Sequence, residues 1–276
     1  MAGLNSPSVT LNDDHRVPQL GLGVLQVKNE DVPRLIADAV DIGYRHFDTA
    51  SHYANEAGIG EAMRQLSVDR SEVCVTTKLP NWAHGYDEAL RAFDASEAAI
   101  GKIDLYLVHW PQPMKGLYRD SWKALVRLRD EGRVRSIGVA NFTATLIEEL
   151  IADTGVTPAI NQVELHPAYQ QHALRGAHAG RSIATEAWSP LEQGRILSNP
   201  IVREIAIKHD CTAAQSVLAW HLRSGVIVIP KAADRRHLAD NFGSLEVVLD
   251  EADMNAMATL DRPDGKFGPD PMLHFT

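Results

Sequence analysis

The sequence predicts an α/β fold, specifically a closed (β/α)8 TIM barrel with an N-terminal β-hairpin plug and two extra helices. Three observations carry that expectation. Eight short apolar runs alternate with segments of helical period almost from end to end. Several of those segments stop at glycine, which readily takes the left-handed conformation that ends a helix. Polar residues recur where the apolar runs stop, which is where a parallel barrel places its active groups. An open doubly wound sheet would alternate in the same way, so the count of eight, rather than the alternation, favours the closed form.

In chain order, VTLNDDHRVPQL (9–20) reads as a hairpin turning at Asn12-Asp13-Asp14, placed to plug the barrel bottom. The strand runs are LGLGV (20–24), RHFDTA (45–50), EVCVTTKL (72–79) and DLYLVHW (104–110), then RSIGVAN (135–141), AINQVEL (159–165), SIATEAW (182–188) and GVIVIPK (225–231). Amphipathic stretches such as DVPRLIADAVDIG and ATLIEELIADTG lie between them. Strict alternation breaks twice. NPIVREIAIKHD and TAAQSVLAWHLRSG put two helices between strands seven and eight, and LDEADMNAMATLD adds another after the eighth unit, with Asp250 as its N-cap. RPDGKFGPDPMLHFT (262–276) has no period and reads as an irregular tail, so 1–276 is expected to be a single domain.

Composition narrows the function classes. With 45% hydrophobic and 23% charged residues the chain is ordinary for a globular protein. A net charge of −9 argues against a nucleic-acid binder, whose phosphate contacts need a basic surface. No apolar stretch is long enough to span a membrane, and MAGLNSPSVT lacks the pattern of a signal peptide. Cys74 and Cys211 are expected to be free thiols, as suits a cytoplasmic protein. No H-E-x-x-H or histidine cluster suggests a metal, and Ser189 lacks a G-x-S-x-G elbow.

At the strand ends the sequence offers Asp48 and, just after it, Tyr53; then Lys78; then His109. Neighbouring strands lie about 4.8 Å apart, so groups ending three consecutive strands can meet in one pocket. A tyrosine at its ordinary pKa of about 10 is a weak acid at neutral pH. An adjacent ammonium is expected to lower that value, Asp48 to hold Lys78 charged and in place, and His109 to orient a carbonyl oxygen. Taken singly, each residue could be structural: a salt bridge, or a hydrogen-bonded histidine.

FDTASHYANE (47–56), VTTKLPN (75–81), LYLVHWP (105–111), RSIGVANF (135–142), NQVELHP (161–167), EAWSPL (186–191) and VIPKAADRRHLADN (228–241) together resemble the aldo-keto reductases. Within that family the chain looks most like the bacterial 2,5-diketo-D-gluconate reductases. The family's catalytic tetrad falls on Asp48, Tyr53, Lys78 and His109. The resemblance implies metal-free hydride transfer from NADP(H), and from NAD(H) as well, to a small aldehyde, ketone or dicarbonyl, with Tyr53 protonating the oxygen. Sugar acids like 2,5-diketogluconate are the first substrate expected and methylglyoxal-like compounds the second. It also implies a monomer whose partner is a small carbonyl substrate.

For the cofactor, the resemblance places the carboxamide on Asn141 and Gln162 and stacks the ring on Trp188, with Val24, Ser189 and Leu191 along the groove. Lys231, Ala232, Arg236, His237 and Asn241 take the phosphate end. No Rossmann G-x-G-x-x-G follows a strand; a cation beside a helix N-terminus takes its place. Ala232 and His237 depart from the Ser and Arg usual in NADPH-preferring relatives, so a weakened NADPH preference is expected. Ala140 likewise replaces a common Ser before Asn141. Val24, Trp82, His109, Trp110, Trp188 and Gln193 are expected around the substrate, with Phe267 and the tail above them; the tryptophans could equally be packing. The alternative is a catalytically weak nucleotide-binding regulatory protein on the same fold.

Overall fold

The computed structural model describes residues 6–273. Residues 1–5, which open the segment tested for a signal peptide, and 274–276, the end of the expected tail, lie outside the described residues. The chain opens with an antiparallel hairpin of β1 (Ser8–Thr10) and β2 (Arg16–Pro18), in register Val9↔Val17, with Asp14 in the left-handed turn conformation. Eight parallel strands follow: β3 (Leu22–Gly23), β4 (His46–Asp48), β5 (Cys74–Leu79), β6 (Ile103–Val108), β7 (Val134–Ala140), β8 (Ile160–Glu164), β9 (Ala184–Trp188) and β10 (Ile227–Val228). They pair in chain order. Parallel bridges Leu20↔Val228 and Gly23↔Lys231 close the ends into a barrel.

The closing strands are the shortest. Pro230 has no N–H to continue β10, and the seam is close at Gly21, where a Cβ would lie 3.1 Å from Ile229 Cγ2. Gly21 N–H donates across the seam to the Val228 carbonyl at 2.8 Å.

Outside the barrel run α1 (Val32–Ile42), α2 (Glu56–Arg64), α3 (Tyr86–Ile100), α4 (Tyr118–Asp130), α5 (Ala144–Thr154) and α6 (His172–Ala179). Two helices, α7 (Pro200–Lys208) and α8 (Ala213–Arg223), separate β9 from β10, and α9 (Arg235–Phe242) and α10 (Glu251–Ala258) follow. Gly43, Gly101 and Gly155 end α1, α3 and α5 with positive φ, and Asp250 caps α10 in a reciprocal capping box with Asp253. No helix among the described residues is long and apolar enough to cross a membrane.

The helices are held by apolar faces turned onto the sheet. Phe93 of α3 is fully buried edge-on against Tyr106 of β6, centroids 5.0 Å apart, and burial of such a ring contributes roughly 1.5–3 kcal/mol. A second core fills the barrel bottom: Leu11 and Val17 of the hairpin pack with Cys74, Leu105, Ile160 and Ile227. Asn12 Nδ2 donates to the Pro158 carbonyl (3.0 Å) and the His15 ring pairs with Ser136 (3.1 Å), which anchors the plug to the strand starts. The opposite face is left for the site.

Candidate active site

Parallel register explains why the polar strand ends converge. Asp48 of β4 is paired with Thr76 of β5, and Lys78 lies two residues on, so all three side chains share the barrel-facing side. Lys78, wholly buried, donates from Nζ to Asp48 Oδ1 at 2.6 Å and to the Thr49 carbonyl at 2.8 Å. Its ammonium hydrogen-bonds the Tyr53 phenol and stands 5.2 Å from the ring centroid. The His109 ring meets the Tyr53 ring edge-on at 6.0 Å. The four residues singled out in the sequence are therefore one cluster.

Burial disfavours the Lys78 ammonium, but the charges of Asp48 and Tyr53 and the hydrogen bond to Asp48 outweigh it and raise the pKa. The expected depression of the Tyr53 pKa is corrected: its value is raised. Desolvation of the phenolate is the larger effect, and the opposing pull of Lys78 only partly offsets it. Tyr53 therefore holds its proton at neutral pH in the free protein, the state a proton donor requires.

Tyr53 reaches the cluster on a short 3-10 turn (Ser51–Tyr53) that ends at Ala54 in the left-handed region. Buried Asn55 fixes that turn. It accepts from Thr49 Oγ1 at 2.7 Å and donates to the Val24 and Val27 carbonyls at 2.9 and 3.0 Å. The loops after β3 and β4 are thus locked together, and Val24, buried, is part of the lock.

Beneath the tetrad lies a layer in which Gln162, expected at the cofactor, meets Glu186 and His46, which sequence reasoning missed. Gln162 of β8 and Glu186 of β9 are register partners, and Gln162 Nε2 donates to Asp48 Oδ2 and to Glu186 Oε2, each at 2.8 Å. His46 Nε2 stands 3.1 Å from Thr76 Oγ1 and 3.6 Å from Glu186 Oε1. Desolvation, then the charge of Asp48, push the Glu186 pKa up to about 8, and burial lowers that of His46 to about 4. The available signal was a charged residue inside each of two apolar runs, RHFDTA and SIATEAW.

Asn141, at the end of β7, takes a left-handed φ of 64°; its Oδ1 accepts from Trp188 Nε1 at 2.8 Å and its Nδ2 donates to the His109 carbonyl at 3.0 Å. Trp188 is thereby held as a fixed, partly buried plane. Phe267 of the tail packs its ring edge-to-face with that indole at 6.1 Å and stacks on His166 at 5.3 Å. Glu164, another residue missed, anchors the tail by accepting from the Phe267 and Gly268 N–H groups, both at 2.8 Å. Ser189 follows Trp188 at φ 48°, and Leu191 is partly buried in the same loop.

At the phosphate end, Lys231 is exposed and donates to Gln26 Oε1 at 3.2 Å, Ala232 and Asn241 are buried, and α9 begins at Arg235. Asp234 caps α9 through the His237 N–H and pairs with the His237 ring at 2.7 Å. Arg235 is engaged by Asp38 at 2.8 Å, whereas exposed Arg236 lies 3.3 Å from the His237 ring. Two exposed cations, Lys231 and Arg236, flank a helix start, a fixed indole ends β9, and two amides lie within β8 and just past β7. This donor set fits a nucleotide with a flat ring at one end and phosphate at the other.

Among the residues expected around the substrate, Trp82 is 66% exposed and faces the His52 ring at 5.8 Å, Gln193 is exposed, and Trp110 is buried. Exposed Leu25, Met114, Leu117, Met272 and Leu273 join Trp82 on the loops after β3, β5 and β6 and on the tail. That apolar rim was not read from the sequence beyond Trp82. A cavity of about 880 Å³ opens elsewhere, between the hairpin and α6, α8 and α10, and contains none of the tetrad.

The aldo/keto reductase family pattern matches residues 18–262. An aldo-keto reductase of Mycobacterium sp. (strain KMS) is 48% identical over 271 residues, covering 97% of this chain and 98% of the relative. Methylglyoxal reductase DkgA of Escherichia coli (strain K12) is 43% identical over 270 residues, with 97% and 98% covered. Among solved structures, a Gox0644 variant in complex with NADPH superposes with a TM-score of 0.94 at 44% identity, covering 98% of each chain. With the barrel, the converged tetrad and these likenesses together, the chain belongs to the aldo/keto reductase family.

Proposed function

We propose that this protein reduces small aldehydes, ketones and especially α-dicarbonyls, using NADPH and, less efficiently, NADH. The observation that carries this reading is the convergence of the buried Lys78 ammonium, held by Asp48, on the phenol of Tyr53, with the His109 ring beside it. When bound, the dihydronicotinamide supplies a hydride to the carbonyl carbon. Tyr53 delivers a proton to the carbonyl oxygen. Lys78 stabilises the phenolate left behind, Asp48 holds Lys78 in place, and His109 orients the oxygen toward Tyr53. In a desolvated site such preorganised charges act far more strongly than in water.

For the cofactor, Trp188 supplies the stacking plane, Asn141 and Gln162 the carboxamide partners, and Lys231 with Arg236 the phosphate contacts. Support for an α-dicarbonyl comes from the relatives named methylglyoxal reductase. Sugar acids of the diketogluconate kind, whose two keto groups are not adjacent, are the other substrate class of this reading. Weakened NADPH preference has a structural basis beyond two missing side chains, because the Asp234 carboxylate occupies the α9 N-terminus and pairs with His237. A negative cap there opposes a second phosphate.

The test is a carbonyl panel (methylglyoxal, 2,5-diketogluconate, a simple aldehyde) assayed separately with NADPH and NADH. Dicarbonyl turnover should exceed that of the simple aldehyde, with NADPH favoured by less than about a thousandfold in kcat/KM, a gap of roughly 4 kcal/mol. Tight cofactor binding without turnover of any carbonyl would support a regulatory nucleotide binder instead.

A further inference from the structure

Together the tetrad and the layer beneath it hold two carboxyl groups and one ammonium in a space closed to water. Glu186 is fully buried, as is Lys78, and Asp48 is 2% exposed. The three protons of Lys78 Nζ are directed at Asp48, the Thr49 carbonyl and Tyr53, so none is left for Glu186. Gln162 gives one amide proton to each carboxyl. Glu186 Oε1 has no hydrogen-bond partner, and His46 Nε2, 3.6 Å away, lies nearer Thr76 Oγ1.

The groups facing Glu186 are His46 and Asp48 from β4, Cys74 and Lys78 from β5, Gln162 from β8, and Tyr53 from the loop after β4. Burial keeps His46 neutral, so the cluster offers a second carboxylate no cation of its own. A buried charge without a partner is strongly unfavourable, whereas the neutral acid keeps its bond from Gln162.

We propose that Glu186 is a positioning residue: by carrying a proton it leaves the whole field of Lys78 to Tyr53, and its ionisation in alkali switches reduction off. This rests on the reading of Tyr53 as the proton donor. An ionised Glu186 would add a negative charge against the phenolate that proton delivery creates. The loss should therefore appear in kcat while KM for the carbonyl stays nearly constant.

Glu186→Gln keeps the shape and the acceptor for Gln162 but cannot ionise. Carbonyl reduction is measured from pH 6 to 10 in both proteins, alongside Tm without substrate over the same range. Near pH 6.5 the two kcat values should agree within about threefold; above about pH 8 only the wild type should fall, by about tenfold per pH unit as a single group ionises. In Tm, the folded wild type holds a proton that the unfolded chain releases, so its stability drops as pH rises from about 4.5 to about 8. The variant should lack that drop. Glu186→Met provides the same comparison if the amide does not fold. Parallel kcat profiles in active enzymes would overturn the role of Glu186 alone. No carbonyl turnover by the wild type at any pH would overturn the reductase reading, and this role with it.

Discussion

The tetrad and the cations near α9 are both charged sites at the strand ends of one barrel, but they are built in opposite ways. Asp48 and Lys78 are sealed from water 2.6 Å apart, with the Lys78 ammonium protons committed to Asp48, the Thr49 carbonyl and Tyr53. Lys231 and Arg236 are exposed, and their partners are a neutral amide and an imidazole. Desolvated charges at fixed distance interact strongly, whereas exposed ones are screened and mobile. The difference teaches that proton chemistry in this protein is rigidly preorganised, while nucleotide recognition is adjustable by single side chains.

That contrast should break first at the buried pair. Lys78→Met removes the cation and strands Asp48, so turnover should fall by about 10²–10⁴-fold and stability by about 3–5 kcal/mol. Urea unfolding of the single variant and of Lys78→Met with Asp48→Asn separates the two effects. The double variant should regain most of the stability and none of the activity. A single variant as stable as wild type would show that the pair is not sealed.

The exposed end should respond more mildly and in one cofactor only. Ala232→Ser with His237→Arg should raise the NADPH/NADH ratio of kcat/KM by about ten- to hundredfold, through added charge-assisted bonds. In wild type, raising KCl from 0.05 to about 0.5 M should raise the KM for NADPH and leave kcat nearly unchanged, as screening of exposed cations requires. An equal change for both cofactors would mean that these residues do not face the phosphate.

Between the two ends, the tail should show the smallest effect. Glu164→Gln removes the charge that holds the Phe267 and Gly268 N–H groups, so KM should rise within about tenfold while the tetrad stays intact. Kinetics with methylglyoxal would check it; a loss in kcat as large as that of Lys78→Met would place Glu164 in the chemistry instead.

Acid should distinguish barrel from surface as well. Burial lowers His46, His84 and His178 to about 4 and His221 to about 3. Each is neutral when folded and binds a proton when unfolded, so stability should be lost as pH falls from about 6.5 through 4. Calorimetry across that range tests this, and a flat Tm would contradict it.

The strand ends were legible because barrel strands read as apolar runs whose last polar residue stands out, as Asp48, Lys78 and His109 do. The extra helices were legible from their helical period, and in the fold Asn199 and Thr212 accept from the first turns of α7 and α8. Glu186 and His46 were not legible, because their meaning lies in which strands sit opposite one another inside the barrel, a pairing with no trace in local pattern. Glu164 was hidden for a similar reason, since its partners are backbone groups more than 100 positions away. The direction of the Tyr53 shift failed because a neighbouring cation is visible in sequence and the depth of burial is not.

The most direct measurement of the central claim is single-turnover reduction of methylglyoxal by Tyr53→Phe, paired with NADPH affinity followed by tryptophan fluorescence. The account predicts cofactor affinity within about threefold of wild type and hydride transfer slower by about 10²–10⁴-fold, the scale of a lost general acid. Hydride transfer at the wild-type rate, with the cofactor bound normally, would contradict it.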